Sequence, residues 1–159
     1  MQFTDALATL EAMPDKVRLF IRDADESQLT KRDPKKPDFF NLREHVAHLR
    51  DVDVEAYEKR VGLILEQEHP MLPDLDGGRL AVERQYHLQD VGAAFEAFAA
   101  ARGRIVARLR AAGEGALGRT AHLEGVGEVT LDRLLDIWIQ HDREHLSDME
   151  SLRNGQYGV

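Results

Sequence analysis

Two histidines, His141 and His145, stand four positions apart near the end of the chain. In a helix their imidazoles share one face, about 6 Å apart along the axis, because an α-helix rises about 1.5 Å per residue. Two imidazoles in that arrangement can bind one metal ion together. The spacing therefore predicts either part of a metal site or two buried histidines whose ring nitrogens bond other polar groups.

The stretch from Leu131 to Leu152 must position this pair, and its pattern predicts one amphipathic helix. The two histidines continue its apolar face, on which residues recur at three- and four-residue steps: Leu131, Leu134, Leu135, Trp138, Met149 and Leu152. Acidic residues occupy the other side, so both imidazoles are predicted to point inward. A tight metal site needs at least a third ligand, which a facing helix of a bundle can supply.

Three further amphipathic segments precede this helix, and no convincing strand alternation accompanies them. They cover 3–23 with a break at Met13-Pro14, about 42–66 after the N-cap Asn41, and 90–112 after the cap Asp90. Residues 113–129 contain five glycines and predict a short extended excursion near Leu123 and Val126, before Thr130 caps the last helix. The fold class is therefore all-α, a four-helix bundle. Two long connections leave the order of the helices open.

The second helix offers His45 and His48 as candidates for the third ligand. Three inward histidines with an open fourth position would match a catalytic metal site better than a structural one. The remaining histidines, His69, His87 and His122, fall in loops or at helix breaks, where a lone histidine is usually a surface group. We leave these three out of the predicted site.

Two aspartates are candidates to support the imidazoles. Asp51 follows His48 by three residues and could reach an imidazole, although an exposed helical aspartate is the commoner case. Asp142 occupies the position where a His-Glu-x-x-His protease carries its general-base glutamate, and the glutamate here is Glu144 instead. A protease is therefore disfavoured, and the catalytic residues stay unassigned apart from these two carboxylates.

Composition excludes several classes of protein. The 159 residues carry a net charge of −8, which opposes binding to a phosphate backbone, so no nucleic-acid partner is expected. Cysteine is absent, which rules out disulfides, thiolate ligands and a protein thiol nucleophile. The N-terminus lacks the pattern of a signal peptide, and no apolar run approaches the ~18 residues of a membrane span. We expect one domain over 1–159, located in the cytoplasm.

Three stretches together resemble the DinB-like, or YfiT-like, family of metal-binding four-helix-bundle proteins, over nearly the whole chain. They are Glu44 to Asp51, Arg60 to Leu65 leading into Pro70 to Asp74, and Gly127 to Leu131 followed by His141 to Leu146. The resemblance places the family's metal ligands on His48, His141 and His145 and not on His45. The aromatic residue before the second helix, often Trp in the family, is represented by Phe39-Phe40.

The resemblance also implies an up-down-down-up helix order, with a crossover between the second and third helices, homodimers, and a divalent ion such as zinc or nickel. Family members include S-transferases that use bacillithiol or mycothiol and proteins labelled metal-dependent hydrolases. A chain without cysteine must receive any thiol nucleophile from outside. We therefore predict a metal-dependent transferase of a low-molecular-weight thiol acting on a small molecule. The alternatives are a hydrolase using metal-bound water and a non-catalytic, metal-stabilised binding module.

Overall fold

Residues 1–155 are described by a computed structural model, and most of them are helical. The helices are α1 (Phe3–Ile21), α2 (Glu26–Thr30), α3 (Leu42–Asp51), α4 (Glu58–Glu66), α5 (Gly77–Glu83), α6 (Val91–Ala112) and α7 (Leu131–Asn154). The long segments α1, α3, α6 and α7 pack against one another around the core. The predicted all-α class is confirmed, and none of the helices in this part of the chain is long and apolar enough to cross a membrane.

A π-helical segment, Val52–Tyr57, joins α3 to α4 and makes the second long helix composite. π-Helical turns insert an extra residue into a helix and often occur at functional sites. Here the segment begins four residues after His48 and carries Asp53, which is fully buried. The π-helical segment therefore places a buried carboxylate one residue into the turn that follows the helix of His48.

The predicted break in the first helix is wrong, because α1 runs without interruption through Pro14. A proline has no N–H, so it leaves the carbonyl four residues earlier without its helical donor. That carbonyl belongs to Leu10, and Nη1 of Arg102 donates a hydrogen bond to it at 2.9 Å. A side chain from α6 thus replaces the missing bond, and the helix continues.

A small sheet closes one side of the bundle and was not predicted. It contains β1 (Met71–Leu72), β2 (Thr120–Leu123) and β3 (Gly127–Thr130), with β1 parallel to β2 and β2 antiparallel to β3. Leu72 and Leu123 are buried in the core from this sheet. Strands of two and four residues are too short to show alternation in the sequence, which predicted only the extended excursion.

The predicted N-caps of the long helices are confirmed. Asn41 forms a capping box with Glu44: its side chain accepts a hydrogen bond from the Glu44 amide at 2.9 Å, and Glu44 accepts one from the Asn41 amide at 3.0 Å. The side chain of Thr130 caps α7 by accepting a bond from the amide of Arg133. These caps set where α3 and α7 begin, and so they fix which turns carry the histidines.

Candidate metal centre

Three histidines from two helices converge on one point. His48 of α3 and His141 and His145 of α7 each place a possible ligand atom within 4.8 Å of the other two. Nε2 of His48 lies 3.2 Å from Nε2 of His141. Two imidazole nitrogens bound to one tetrahedral zinc ion are separated by roughly 3.3 Å, given Zn–N bonds of about 2.0–2.1 Å. The observed separation therefore suits a shared ion.

The same histidines lack the partners that buried imidazoles ordinarily have. Within residues 1–155, Nδ1 of His48 and Nδ1 of His141 are buried without a hydrogen-bond partner, and the Nε2 atoms of the two rings face each other. A neutral imidazole has one donor and one acceptor to satisfy. Bonding to other polar groups of the core therefore does not account for the Nδ1 atoms of His48 and His141, whereas His145 has a partner in His45. Three imidazoles do fit a divalent ion such as zinc or nickel.

Burial keeps the imidazoles neutral at pH 7. It lowers the pKa of His48 to about 4, against the opposing charge of Asp51. It lowers the pKa of His141 to about 3, with smaller contributions from the positive charges of His48, Arg102 and Arg60. Burial and the neighbouring histidines also lower the pKa of His145. Neutral imidazole is the form that binds a metal ion.

We expect the metal-free protein to lose stability as the pH falls below about 6.5. Each buried histidine has a folded pKa below its unfolded value of about 6.5, so the unfolded chain binds protons that the folded chain does not. The loss amounts to roughly 1.4 kcal/mol per pH unit for each histidine. Asp53 opposes it, because burial raises its pKa to about 6 despite Arg102.

Urea unfolding of protein treated with a chelator, at pH 8.0, 7.2, 6.5, 5.8 and 5.0, measures this dependence. The midpoint should be flat above pH 7 and fall steadily from pH 6.5 towards the folded pKa values near 4 and 3. A midpoint that stays constant, or rises, between pH 6.5 and 5 would contradict the burial of neutral histidines.

A fourth histidine, His45, contacts the triad through His145. Its Nδ1 lies 2.9 Å from Nδ1 of His145, and the residue is fully buried. The rings of Phe39 and Phe40 stand edge-on to it, with centroids 5.6 and 5.5 Å away. Within the described chain its Nε2 is buried without a partner. His45 therefore contacts one imidazole of the triad, and the point where an ion would bind lies between His48, His141 and His145.

Asp51, one of the two candidate carboxylates, bonds groups other than an imidazole. It is buried, and it accepts hydrogen bonds from the Tyr86 hydroxyl at 2.5 Å and from Nε of Arg50 at 3.0 Å. Nη1 of Arg84 lies 3.2 Å from the same carboxylate. Asp51 therefore joins α3 to the segment after α5, and its effect on His48 is that of a nearby negative charge.

Asp142, the other candidate, faces the core. Arg102 donates to it from Nη1 at 2.7 Å and to Asp53 from Nε at 2.8 Å, so one guanidinium holds two carboxylates. Arg102 is 1% exposed. The sequence did not single out Arg102 or Asp53, although a charged residue on an apolar face, between Phe98 and Ile105, marks the position. This ionic group fixes the α7 turn that carries His141.

A cavity of about 210 Å³ lies beside the histidines. His48 and His141 contribute to its wall, together with Arg60 and apolar side chains from the helices and from β2. Gly77, the first residue of α5, packs against the outer edge of the His48 ring. A Cβ at that position would lie 2.7 Å from Cε1 of His48, so only glycine allows this approach. With His48 and His141 in its wall, the cavity gives a small molecule room next to the triad.

Comparisons with known proteins give the family and the fold of this chain. A family model described as the DinB superfamily matches residues 9–149. YfiT from Bacillus subtilis, described as a probable metal-dependent hydrolase with an unusual four-helix bundle topology, has a similar structure, with a TM-score of 0.87 and 20% sequence identity. The similarity covers 99% of this chain and 91% of that one. No curated protein matches the sequence.

Proposed function

Because the chain belongs to the DinB superfamily, we propose that it is a metal-dependent enzyme acting on a small molecule, in which His48, His141 and His145 hold one divalent ion. Imidazole ligands suit zinc and nickel, and copper and iron as well, and we take zinc or nickel as the ion. The observation that carries the proposal is the convergence of these three rings on one point beside a cavity. The similarity to YfiT supports the fold on which the proposal rests.

The reaction we assign is transfer of a low-molecular-weight thiol, of the bacillithiol or mycothiol type, to an electrophilic substrate. The chain has no cysteine and must accept its thiol from solution. An ion held by neutral imidazoles keeps its full positive charge and lowers the pKa of a thiol that coordinates it. Asp51 and Asp142 are both paired with arginines, so neither is free to deprotonate water. A thiol, with an ordinary pKa of about 8.5, needs such a base less than water does.

Hydrolysis is the second candidate, because the structurally similar YfiT is described as a probable metal-dependent hydrolase. Water would then take the place of the thiol as nucleophile in the same cavity. The exposed carboxylates of Asp74 and Glu124 line that cavity and could accept a proton from this water. Transferase and hydrolase therefore share the three histidines and differ in the nucleophile.

A purely structural ion fits the geometry less well. A closed structural site takes four protein ligands, whereas a catalytic site leaves a position open. In residues 1–155, one group of three or more His, Asp or Glu side chains has metal-binding geometry, and it consists of the three histidines. His45 contacts His145 from outside that group. These contacts support an open site over a closed one.

The proposed function is tested by incubating zinc-loaded and nickel-loaded protein with monochlorobimane and, in turn, bacillithiol, mycothiol and glutathione. The His145→Ala variant is the control for metal-dependent turnover, and His87→Ala, at an exposed position, is the control for substitution itself. We expect thiol consumption by the wild type and by His87→Ala, and the uncatalysed rate with His145→Ala. Cleavage of ester or amide substrates with no thiol consumed would instead establish the hydrolase.

We expect His45→Ala to weaken metal binding about 10–100-fold, the usual effect of removing the group that orients a metal-binding histidine. The Nδ1 atoms of His45 and His145 are 2.9 Å apart, so one donates to the other and fixes which His145 nitrogen is free. His45→Gln keeps a polar partner and should lose less. Competition with a zinc-binding dye gives the affinity. Equal affinities for wild type and both variants would show that His45 only fills space.

The helix order up-down-down-up is part of the proposal. The strand β1 follows α4, the strand β2 follows α6, and the two strands pair in parallel. Arg119, just before β2, donates to the carbonyl of Ile64 at 2.5 Å, near the end of α4. These contacts support α4 and α6 ending on the same side of the bundle.

A homodimer is also proposed. Light scattering of the purified protein measures the mass of the particle in solution and so tests the dimer.

A further inference from the structure

Arg60 lies in the wall of the cavity that His48 and His141 also line. Its side chain is 8% exposed, which is unusual for an arginine and requires that its charge be balanced nearby. It is close enough to His141 to be one of the charges that lower the pKa of that imidazole, after burial and the charges of His48 and Arg102. A buried cation therefore shares one small space with the candidate metal ligands.

The contacts of Arg60 leave part of its binding capacity for a ligand. Nε donates to the carbonyl of Pro73 at 3.0 Å, and the guanidinium lies over the Tyr57 ring, 5.0 Å from its centroid. The carboxylate that balances its charge belongs to Asp74, with Oδ1 3.7 Å from Nη2. That separation exceeds a hydrogen bond, and the Asp74 side chain is 62% exposed. Asp74 can thus turn towards solvent when another anion arrives.

The charges around the cavity indicate which anion this would be. A guanidinium binds a carboxylate through two parallel hydrogen bonds. A phosphate carries nearly two negative charges, and the carboxylates of Asp74 and Glu124 at the cavity wall would repel it more strongly. The net charge of −8 also means that no general attraction for anions operates across this protein. One buried arginine therefore suits a single carboxylate.

We propose that Arg60 binds a carboxylate of the substrate, at the wall of the cavity that also carries His48 and His141. This inference rests on the proposed function and narrows it: the enzyme acts on a small molecule that carries a carboxylate beside the group that reacts. The other walls of the cavity are largely apolar, with Val52 and Ile137 among them, so they suit the carbon skeleton between those two groups.

The test uses hydroxamate probes, whose hydroxamate binds zinc and whose tail carries either a carboxylate or its methyl ester, on chains of two and three methylenes. Calorimetry with zinc-loaded wild type should show the carboxylate probe binding about tenfold or more tightly than its ester. In Arg60→Met this preference should vanish while the ester binds as before, and Arg60→Lys should keep part of it. An equal preference in wild type and Arg60→Met would overturn the proposal.

Arg60→Met also removes the hydrogen bond from Arg60 to Pro73, which can loosen that loop, so a second variant serves as the control. Asp74→Asn removes the exposed competing carboxylate and leaves Arg60 in place, so it should tighten binding of the carboxylate probe and leave the ester unaffected. If Asp74→Asn changes neither probe, or both equally, the carboxylate of the probe does not bind at Arg60. Either outcome decides the proposal even if Arg60→Met is unstable.

The same probes separate this inference from the metal proposal. If the wild type takes up no zinc, the proposed metal centre fails. Titration of metal-free protein with the carboxylate probe, followed by saturation-transfer NMR, then still measures binding that Arg60→Met removes. If zinc is taken up and the charge preference does not depend on Arg60, the metal centre stands and the carboxylate site falls.

Discussion

Replacing Arg102 by methionine is expected to destabilise the protein by about 3–5 kcal/mol, the usual cost of removing one partner from a buried ionic group. The guanidinium is 1% exposed and bonds Asp53, Asp142 and the carbonyl of Leu10. Its loss leaves two buried carboxylates without a counter-charge. It also leaves the Leu10 carbonyl without a donor, because Pro14 has no N–H to offer. Because a whole domain has only about 5–15 kcal/mol of stability, this one change removes a large share of it.

Arg104→Met is the matched control, because Arg104 is on the same helix and binds a carboxylate with the same two kinds of nitrogen. Its Nε lies 2.8 Å from Glu58, but its side chain is 57% exposed. An exposed ion pair contributes about 0–1 kcal/mol, so this variant should unfold almost as the wild type does. Urea denaturation of both variants gives the comparison. Similar losses for Arg102→Met and Arg104→Met would contradict the structural role of the buried group.

Single alanine substitutions of His48, His141 or His145 are expected to reduce zinc affinity by at least about 100-fold. Each removes one of three ligands, and two imidazoles alone hold a divalent ion far less tightly than three. Removing two of them, in the His141→Ala, His145→Ala double variant, should leave no ion bound after dialysis. Elemental analysis should find about one ion per chain for wild type and none for the double variant. Retention of metal by the double variant would defeat the ligand assignment.

The control for this series is His122→Ala. His122 is in β2 and bonds Glu128 through Nδ1 at 3.0 Å, away from the converging rings. Its removal tests whether loss of any histidine lowers metal content. We expect the wild-type stoichiometry for His122→Ala. Loss of metal in this variant would indicate that the ion binds elsewhere on the chain.

Much of the fold could be predicted from the sequence, because the long helices carry their own periodicity and caps. Asn41 and Thr130 form the predicted caps, and the inward face of α7 carries the predicted apolar residues, including the fully buried Trp138. The predicted break at Met13-Pro14 was wrong because the hydrogen bond that Pro14 cannot donate is replaced by one from Arg102, 88 positions after Pro14. Local patterns do not report a donor so distant along the chain.

The site could be predicted only in part, for a similar reason. The four-residue spacing placed His141 and His145 on one face, and the resemblance selected His48 over His45. Contacts between helices were beyond the sequence: the His45–His145 pair, the two carboxylates bound by Arg102, and the approach of Gly77 to the His48 ring. Each depends on how α3, α5, α6 and α7 pack, which no periodicity within a single helix records.

X-ray absorption spectroscopy at the zinc edge of the loaded wild-type protein tests the metal centre most directly. Three imidazole nitrogens at about 2.0–2.1 Å, plus one light atom not supplied by the protein, are predicted from His48, His141 and His145. The His45→Gln variant should keep all three imidazoles. A spectrum that requires four imidazoles, or that fits with two or fewer, would contradict an open site built from these three histidines.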